Sequence, residues 1–158
     1  MKKIVLTTLL LLFCATIHAQ TKVYNGNSTF LNDLICTVED GKVYHRDSNF
    51  RLDILYNVKD SKVYKGNMNF IFDVVANIRD GKVYKGNSFF QGDILFNIQD
   101  NIIYNGNSIS SFDIIARIED GRVYNEQARG RNMILFNFDG ELTLEEFVAV
   151  WFLYHGYI

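Results

Sequence analysis

At 158 residues and a formal charge of −2, the chain is long enough for one modest domain and gives no electrostatic case for nucleic acid. Apolar residues make up 48% and aromatics 15%, which affords a buried core and excludes global disorder. Its two cysteines, Cys14 and Cys36, fall on opposite sides of the segment boundary described next, so no internal disulfide is expected.

The chain opens as a leader. Lys2-Lys3 is a positive start, Ile4 to Ala15 a short apolar run, and Ile17-His18-Ala19 offers a small residue before a cut at Gln20. Residues 1–19 therefore read as a secretory signal peptide whose apolar run is too short to span a bilayer. Its removal takes Lys2 and Lys3 and moves the charge from −2 to −4. An exported protein, periplasmic or extracellular and not membrane-spanning after cleavage, is expected.

From Thr21 the chain repeats every twenty residues without insertion or deletion, and fixed-period self-similarity marks a repeat architecture. Each of six units opens on a β-branched residue and a tyrosine: Val23-Tyr24, Val43-Tyr44, Val63-Tyr64, Val83-Tyr84, Ile103-Tyr104 and Val123-Tyr124. Gly-Asn follows in four units, and an aspartate precedes a second apolar run in five, as Asp33, Asp53, Asp73, Asp93 and Asp113. Short β-branched and aromatic runs bounded by Gly, Asn and Asp read as strands. Asp40-Gly41, Asp80-Gly81 and Asp120-Gly121 suit type I′ hairpin turns, with Asp60-Ser61 and Asp100-Asn101 as poorer versions. Each turn then joins the second strand of one unit to the first strand of the next, pairing Thr37 with Tyr44, Val38 with Val43 and Glu39 with Lys42.

Period-2 alternation places Leu34, Cys36, Val38 and Val43 on one face, read as the core. Cys36 belongs to an apolar series with Tyr56, Ala76, Phe96, Ala116 and Phe136 and reads as a small buried hydrophobe. The other face is expected to carry Ile35, Leu55, Val75, Leu95, Ile115 and Leu135 beside the tyrosines and Asn57, Asn77, Asn97 and Asn137. The repeat's phase leaves a lone first strand at Lys22–Asn25 and a lone last strand at Ile134–Phe138. Pairing them would close a ring and remove exposed edges. The expected fold is all-β: about twelve short antiparallel strands over residues 20–140, closed in a prism- or flower-like ring. An open stack of hairpins is the alternative.

After Asp139-Gly140 the pattern stops. Thr143-Leu144-Glu145-Glu146 is a capping box, predicting a helix from Leu144 to Tyr154 that ends at Gly156, within a capping segment at residues 141–158. It is apolar all round and is expected to be buried, plugging one end of the β structure. Trp151 and Phe152 are candidates for docking a partner.

The Tyr-x-Gly of Tyr64-Lys65-Gly66 and Tyr84-Lys85-Gly86 resembles that of MORN repeats, and the twenty-residue hairpin period resembles choline-binding repeats, which rely on tryptophans these units lack. In composition and in Asp-Gly-Lys turns such as Asp80-Gly81-Lys82, Thr21 to Gly140 is similar to the small bacterial β-hairpin repeat type called 4-fold β-flower. That resemblance implies no activity.

Asn137, Asp139, Gly140, Leu142 and Glu146 match part of a calcium loop, but Leu135 holds its first ligand position and a strand precedes it. No metal and no cofactor is expected. An aspartate present in five units reads as a turn device hydrogen-bonding its local backbone, not as a general base. Nothing polar occurs once in a sensible cluster, so catalysis is not expected. The chain reads as a non-catalytic module that binds a surface glycan or a cell-surface protein. Tyr24, Tyr44, Tyr64, Tyr84, Tyr104 and Tyr124 would stack on sugar rings while Asn57, Asn77 and Asn97 supply hydrogen bonds. The second reading is a structural or assembly role mediated by the terminal helix.

Overall fold

A computed structural model describes residues 20–126 and 133–156; the expected leader at 1–19 lies outside the described residues. Units one to three supply β1 (Thr21–Asn25), β2 (Leu34–Glu39), β3 (Lys42–His45), β4 (Ile54–Lys59), β5 (Lys62–Lys65) and β6 (Val74–Arg79). Units four to six supply β7 (Lys82–Lys85), β8 (Ile94–Gln99), β9 (Ile102–Asn105), β10 (Ile114–Glu119), β11 (Arg122–Asn125) and β12 (Met133–Asp139). The helix α1 spans Leu144–His155.

Every strand is antiparallel to its two neighbours, and β1 pairs with β12 to close a barrel. Lys22 faces Asp139 and Asn25 faces Phe136, so the two strands left over by the repeat's phase complete each other. Closure leaves no edge to template aggregation. In each tight turn the aspartate takes φ between 48° and 51° and the next residue φ between 56° and 74°, the two positive angles of a type I′ turn. The second turn residue also feeds the following strand: Gly81 O accepts from Ile98 N–H at 2.8 Å, and Gly41 O from Val58 N–H at 2.6 Å.

The other junction of each unit departs from simple alternation. Val23 pairs with Cys36 but Tyr24 pairs with Leu34, so Ile35 is an extra residue in a β-bulge. The same slip recurs at the Val43/Tyr44, Val63/Tyr64, Val83/Tyr84 and Val123/Tyr124 steps and between Ile114 and Ala116. Paired residues share a face, so the bulge exchanges two series. Leu34, Ile54, Val74 and Ile94 join the tyrosines on the outside, while Ile35, Leu55, Val75, Leu95 and Ile115 pack against the inner core. Beyond the bulge the alternation holds, with Cys36, Val38 and Val43 inside as expected.

The lumen is filled by α1. Thr143 Oγ1 accepts from Glu146 N–H, and the Glu146 carboxylate accepts from Thr143 N–H and, at 3.0 Å, from Gly41 N–H, seating the helix start at the hairpin-turn end. Gly156, at φ 64°, terminates it. Phe147 to Phe152 are buried on every side, and Trp151 lies against Phe96 and Phe136 at ring-centroid distances of 5.8 and 6.5 Å. Burial of these side chains contributes on the order of 10 kcal/mol as an upper bound. Trp151 and Phe152 are thus core residues and not a docking surface: an apolar helix inside a closed barrel has no free face to offer.

Candidate functional site

The tyrosine and asparagine series do meet on one face. Asn57 pairs with Tyr64, Asn77 with Tyr84 and Asn97 with Tyr104. That face is covered by the loops joining the two strands of each unit. Asn77 Nδ2 donates to Ser88 O at 3.1 Å, Asn97 Nδ2 to Gly106 O and Ser108 O at 2.9 and 2.6 Å, and Asn137 Nδ2 to Gly26 O and Ser28 O at 2.8 Å. Asn57 Nδ2 donates to the Asn69 side chain, and Thr37 Oγ1 to Arg46 O at 2.5 Å. In unit five Arg117 pairs with Glu126 at 2.7 Å, and one strand residue in each of the other five units therefore ties the next unit's loop down over the barrel wall. Beneath it Tyr24, Tyr44, Tyr64 and Tyr84 are no more than 9% exposed, and Tyr104 and Tyr124 are half-buried. Asn57, Asn77 and Asn97 are buried, with their amides committed to the loops. A tyrosine-lined groove open to a glycan is not formed. The alternation of side chains showed which residues share the face, but nothing in it showed that the loops fold back.

The loops have a common construction. Ser28, Ser48, Ser88 and Ser108 donate to the carboxylates of Asp33, Asp53, Asp93 and Asp113, at 2.5 to 2.6 Å in three of them. The same hydroxyl accepts the backbone N–H two residues on, from Phe30, Phe50, Phe90 or Ser110. The aspartate N–H then closes a single 3-10 turn onto the carbonyl of residue 30, 50, 70, 90 or 110. Asp33, Asp53, Asp93 and Asp113 are thus local loop devices, with carboxylates clamped by a serine hydroxyl where bonds to the local backbone were expected. Unit three has Met68 where units one, two, four and five have serine, so its turn forms without the clamp.

What these loops hold up is apolar. Phe30, Leu31, Phe50, Leu52, Phe70, Ile71, Phe72, Phe89, Phe90, Ile109 and Phe112 are all exposed, and Leu52, Phe72 and Phe112 are 95–97% exposed. With Met68 these side chains present on the order of 1,500 Å² of apolar surface, taking about 200 Å² per large side chain. The loops start at the end opposite the hairpin turns and fold back over the outer wall, where Asn27 meets Arg122 and Ile109 lines a cleft with Asp80 and Gln99, so they form a crown around the barrel's flank. The corresponding loop of unit six, residues 127–132, lies outside the described residues. A signal was present in the sequence: Phe30, Phe50, Phe70 and Phe90 recur at a fixed place between turn residues, where a strand core has no use for them.

The hairpin-turn end differs in chemistry. An open cleft of about 800 Å³ lies there between the helix start and the Asp40-Gly41 turn, lined by Glu39, Asp40, Glu141 and Glu146. The part-match to a calcium loop is used otherwise, since Leu135 is buried and Asn137 holds a loop. Among the described residues no group of three or more His, Cys, Asp or Glu side chains is placed to hold a metal ion. No helix among them is long and apolar enough to cross a membrane. Burial pushes the Cys36 thiol up to about 12, which removes it as a nucleophile.

A family model described as "6-fold beta flower protein" matches residues 23–151, which takes in all six units and most of the helix. Neither the curated proteins nor the solved structures contain a significant match.

Proposed function

The chain belongs to the 6-fold beta flower family, and from that premise we propose that it is an exported, non-catalytic docking module whose contact surface is the loop crown. The observation that carries this reading is the near-complete exposure of Leu52, Phe72 and Phe112 on loops that close the same 3-10 turn. An apolar side chain held out in water by a dedicated hydrogen-bond network costs solubility and is explained by what it meets. Five equivalent loops around one ring supply avidity, because each contact raises the effective concentration of the next. Sugar stacking needs a ring with hydrogen-bonding groups beside it, and the amides that could provide them are shut beneath the loops. The crown therefore favours an apolar partner surface over a glycan.

The test compares retention of the mature protein on cell-envelope fractions and on a glycan panel for two variants. Leu52→Ser/Phe72→Ser/Phe112→Ser is expected to lose envelope retention with unchanged melting. Tyr64→Ala/Tyr84→Ala is expected to lose stability first. Unchanged retention in the crown variant, or retention on glycans that depends on the tyrosines, would overturn the reading.

A further inference from the structure

Resting on that reading, we infer that one sector of the crown, loops three and four of the units so numbered, is the face through which two copies of this chain pair. Asn77 of β6, the strand that loop three leads into, holds Ser88 O of loop four, so the two loops lie side by side on the flank. Their exposed apolar side chains are Met68, Phe70, Ile71, Phe72, Phe89 and Phe90. At about 200 Å² per large side chain these expose on the order of 800 Å². A standard interface buries about 800 Å² per partner, a little over half of it apolar. The sector meets that requirement even with its curved margins left in water.

Composition agrees. Neither Gly66 to Phe72 nor Gly86 to Gly92 contains a charged residue, whereas loop two carries Arg46, Asp47 and Arg51. Interface centres are depleted of charge and enriched in Phe and Met. Unit three also gives up its clamp, since an exposed Met68 replaces the serine that would hold Asp73. A stabilising hydroxyl is lost and an adaptable apolar side chain gained. That exchange weakens the single chain and strengthens a contact.

Charge selects a second copy as the occupant. Loop three leaves from Lys65 and returns to Asp73, and loop four leaves from Lys85 and returns to Asp93. The margin of this sector thus carries both signs in equal number. In a two-fold pair every contact is made twice with roles exchanged, so the lysines of each copy meet the aspartates of the other. Loops one and five leave from Asn25 and Asn105 and return to Asp33 and Asp113, a margin that would repel its own copy.

The experiment is sedimentation equilibrium of the mature protein over a concentration series, with thermal melts at its dilute end. Interfaces of this size pair at micromolar concentration or tighter, so a dimer is expected at about 100 μM. Phe72→Ser removes two tips from the pair and should weaken it by about a hundredfold. Met68→Ser separates pairing from folding: it should weaken the dimer by about tenfold while melting no lower than the parent at the dilute end. Leu52→Ser/Phe112→Ser, in loops outside the sector, should pair as the parent does. A monomer throughout the series, a dimer indifferent to Phe72→Ser, or one lost equally in Leu52→Ser/Phe112→Ser would overturn the inference. A monomer whose envelope retention still depends on the crown would give the sector to another protein and leave the docking reading standing. A monomer without such retention would overturn both.

Discussion

The serine clamp allows a test in which the protein supplies its own control. Ser88 Oγ donates to Asp93 and accepts from Phe90 N–H at 3.1 Å, two bonds that hold one crown loop. A hydrogen bond to a charged acceptor contributes about 1.5–3 kcal/mol in favourable settings. Ser88 and Asp93 are only half-buried, so water recovers part of that, and the exposed Phe90 N–H bond adds less again. Ser88→Ala should therefore cost about 1–2 kcal/mol, lowering the melting temperature by roughly 5 °C. Unit three lacks the clamp yet keeps the turn, with Asp73 N–H on Phe70 O at 2.9 Å. Met68→Ser installs the missing hydroxyl beside a waiting carboxylate and should stabilise by about 1 kcal/mol. Thermal melts of both variants, with a Ser88→Ala/Asp93→Ala double-mutant cycle, read these values directly. Hydrogen exchange at Phe90 should speed up in Ser88→Ala. A neutral Ser88→Ala, or a Met68→Ser that melts lower than the parent, would refute the clamp as a stabilising device.

Three further outcomes follow from the geometry. A Cβ on Gly81 would lie 2.6 Å from Ile98 O at φ 74°, so Gly81→Ala should cost about 2–3 kcal/mol. The reverse change, Ser61→Gly, relieves a positive φ of 56° and should gain about 1 kcal/mol, both measured by urea denaturation. Cys36, raised to about 12, should resist an aromatic disulfide reagent at pH 8 until denaturant is added. The unfolded chain loses this proton near its ordinary thiol pKa while the fold retains it, so stability is full below that value and falls as pH climbs towards 12. Cys36→Ala should reduce that slope to the part left by Tyr44 and Tyr56, whose hydroxyls burial also pushes up. Finally, Asn97→Ala leaves Gly106 O and Ser108 O without their donor and should cost about 2 kcal/mol while loosening the fifth loop.

The ring was legible because its evidence is arithmetic. Strands, turns and the lone strands at each end follow from where Asp-Gly falls within a twenty-residue period. The capping box at Thr143 was equally local. The bulge was not legible, since one extra residue between Leu34 and Cys36 leaves no mark on an unbroken apolar run such as Leu34-Ile35-Cys36. It moved two series to opposite faces. The tyrosine face was placed correctly, but whether it stood open was not legible, because a loop's path over its own sheet depends on tertiary bonds such as Asn97 to Ser108.

Closure also explains the small-large alternation along the inner wall. In a ring of twelve strands, β2 lies opposite β8, β4 opposite β10 and β6 opposite β12. Cys36 therefore faces Phe96, Tyr56 faces Ala116 and Ala76 faces Phe136, one large side chain across from each small one. Such a lumen is lopsided, and α1 runs near β2 to β5 while Phe96 and Phe136 reach over to Trp151. Among the described residues the Trp151 indole N–H meets no acceptor, so inside the lumen the helix is held by apolar packing, and polar registry is confined to its start at Glu146. Filling the lumen with the chain's own C-terminus has a consequence for function. Among the described residues the helix occupies the lumen and the loops cover most of the tyrosine wall, with small clefts such as the one between Lys42, Asn49 and Asn67 left between them. On the proposed reading, recognition then falls to the apolar side chains that five loops hold into solvent.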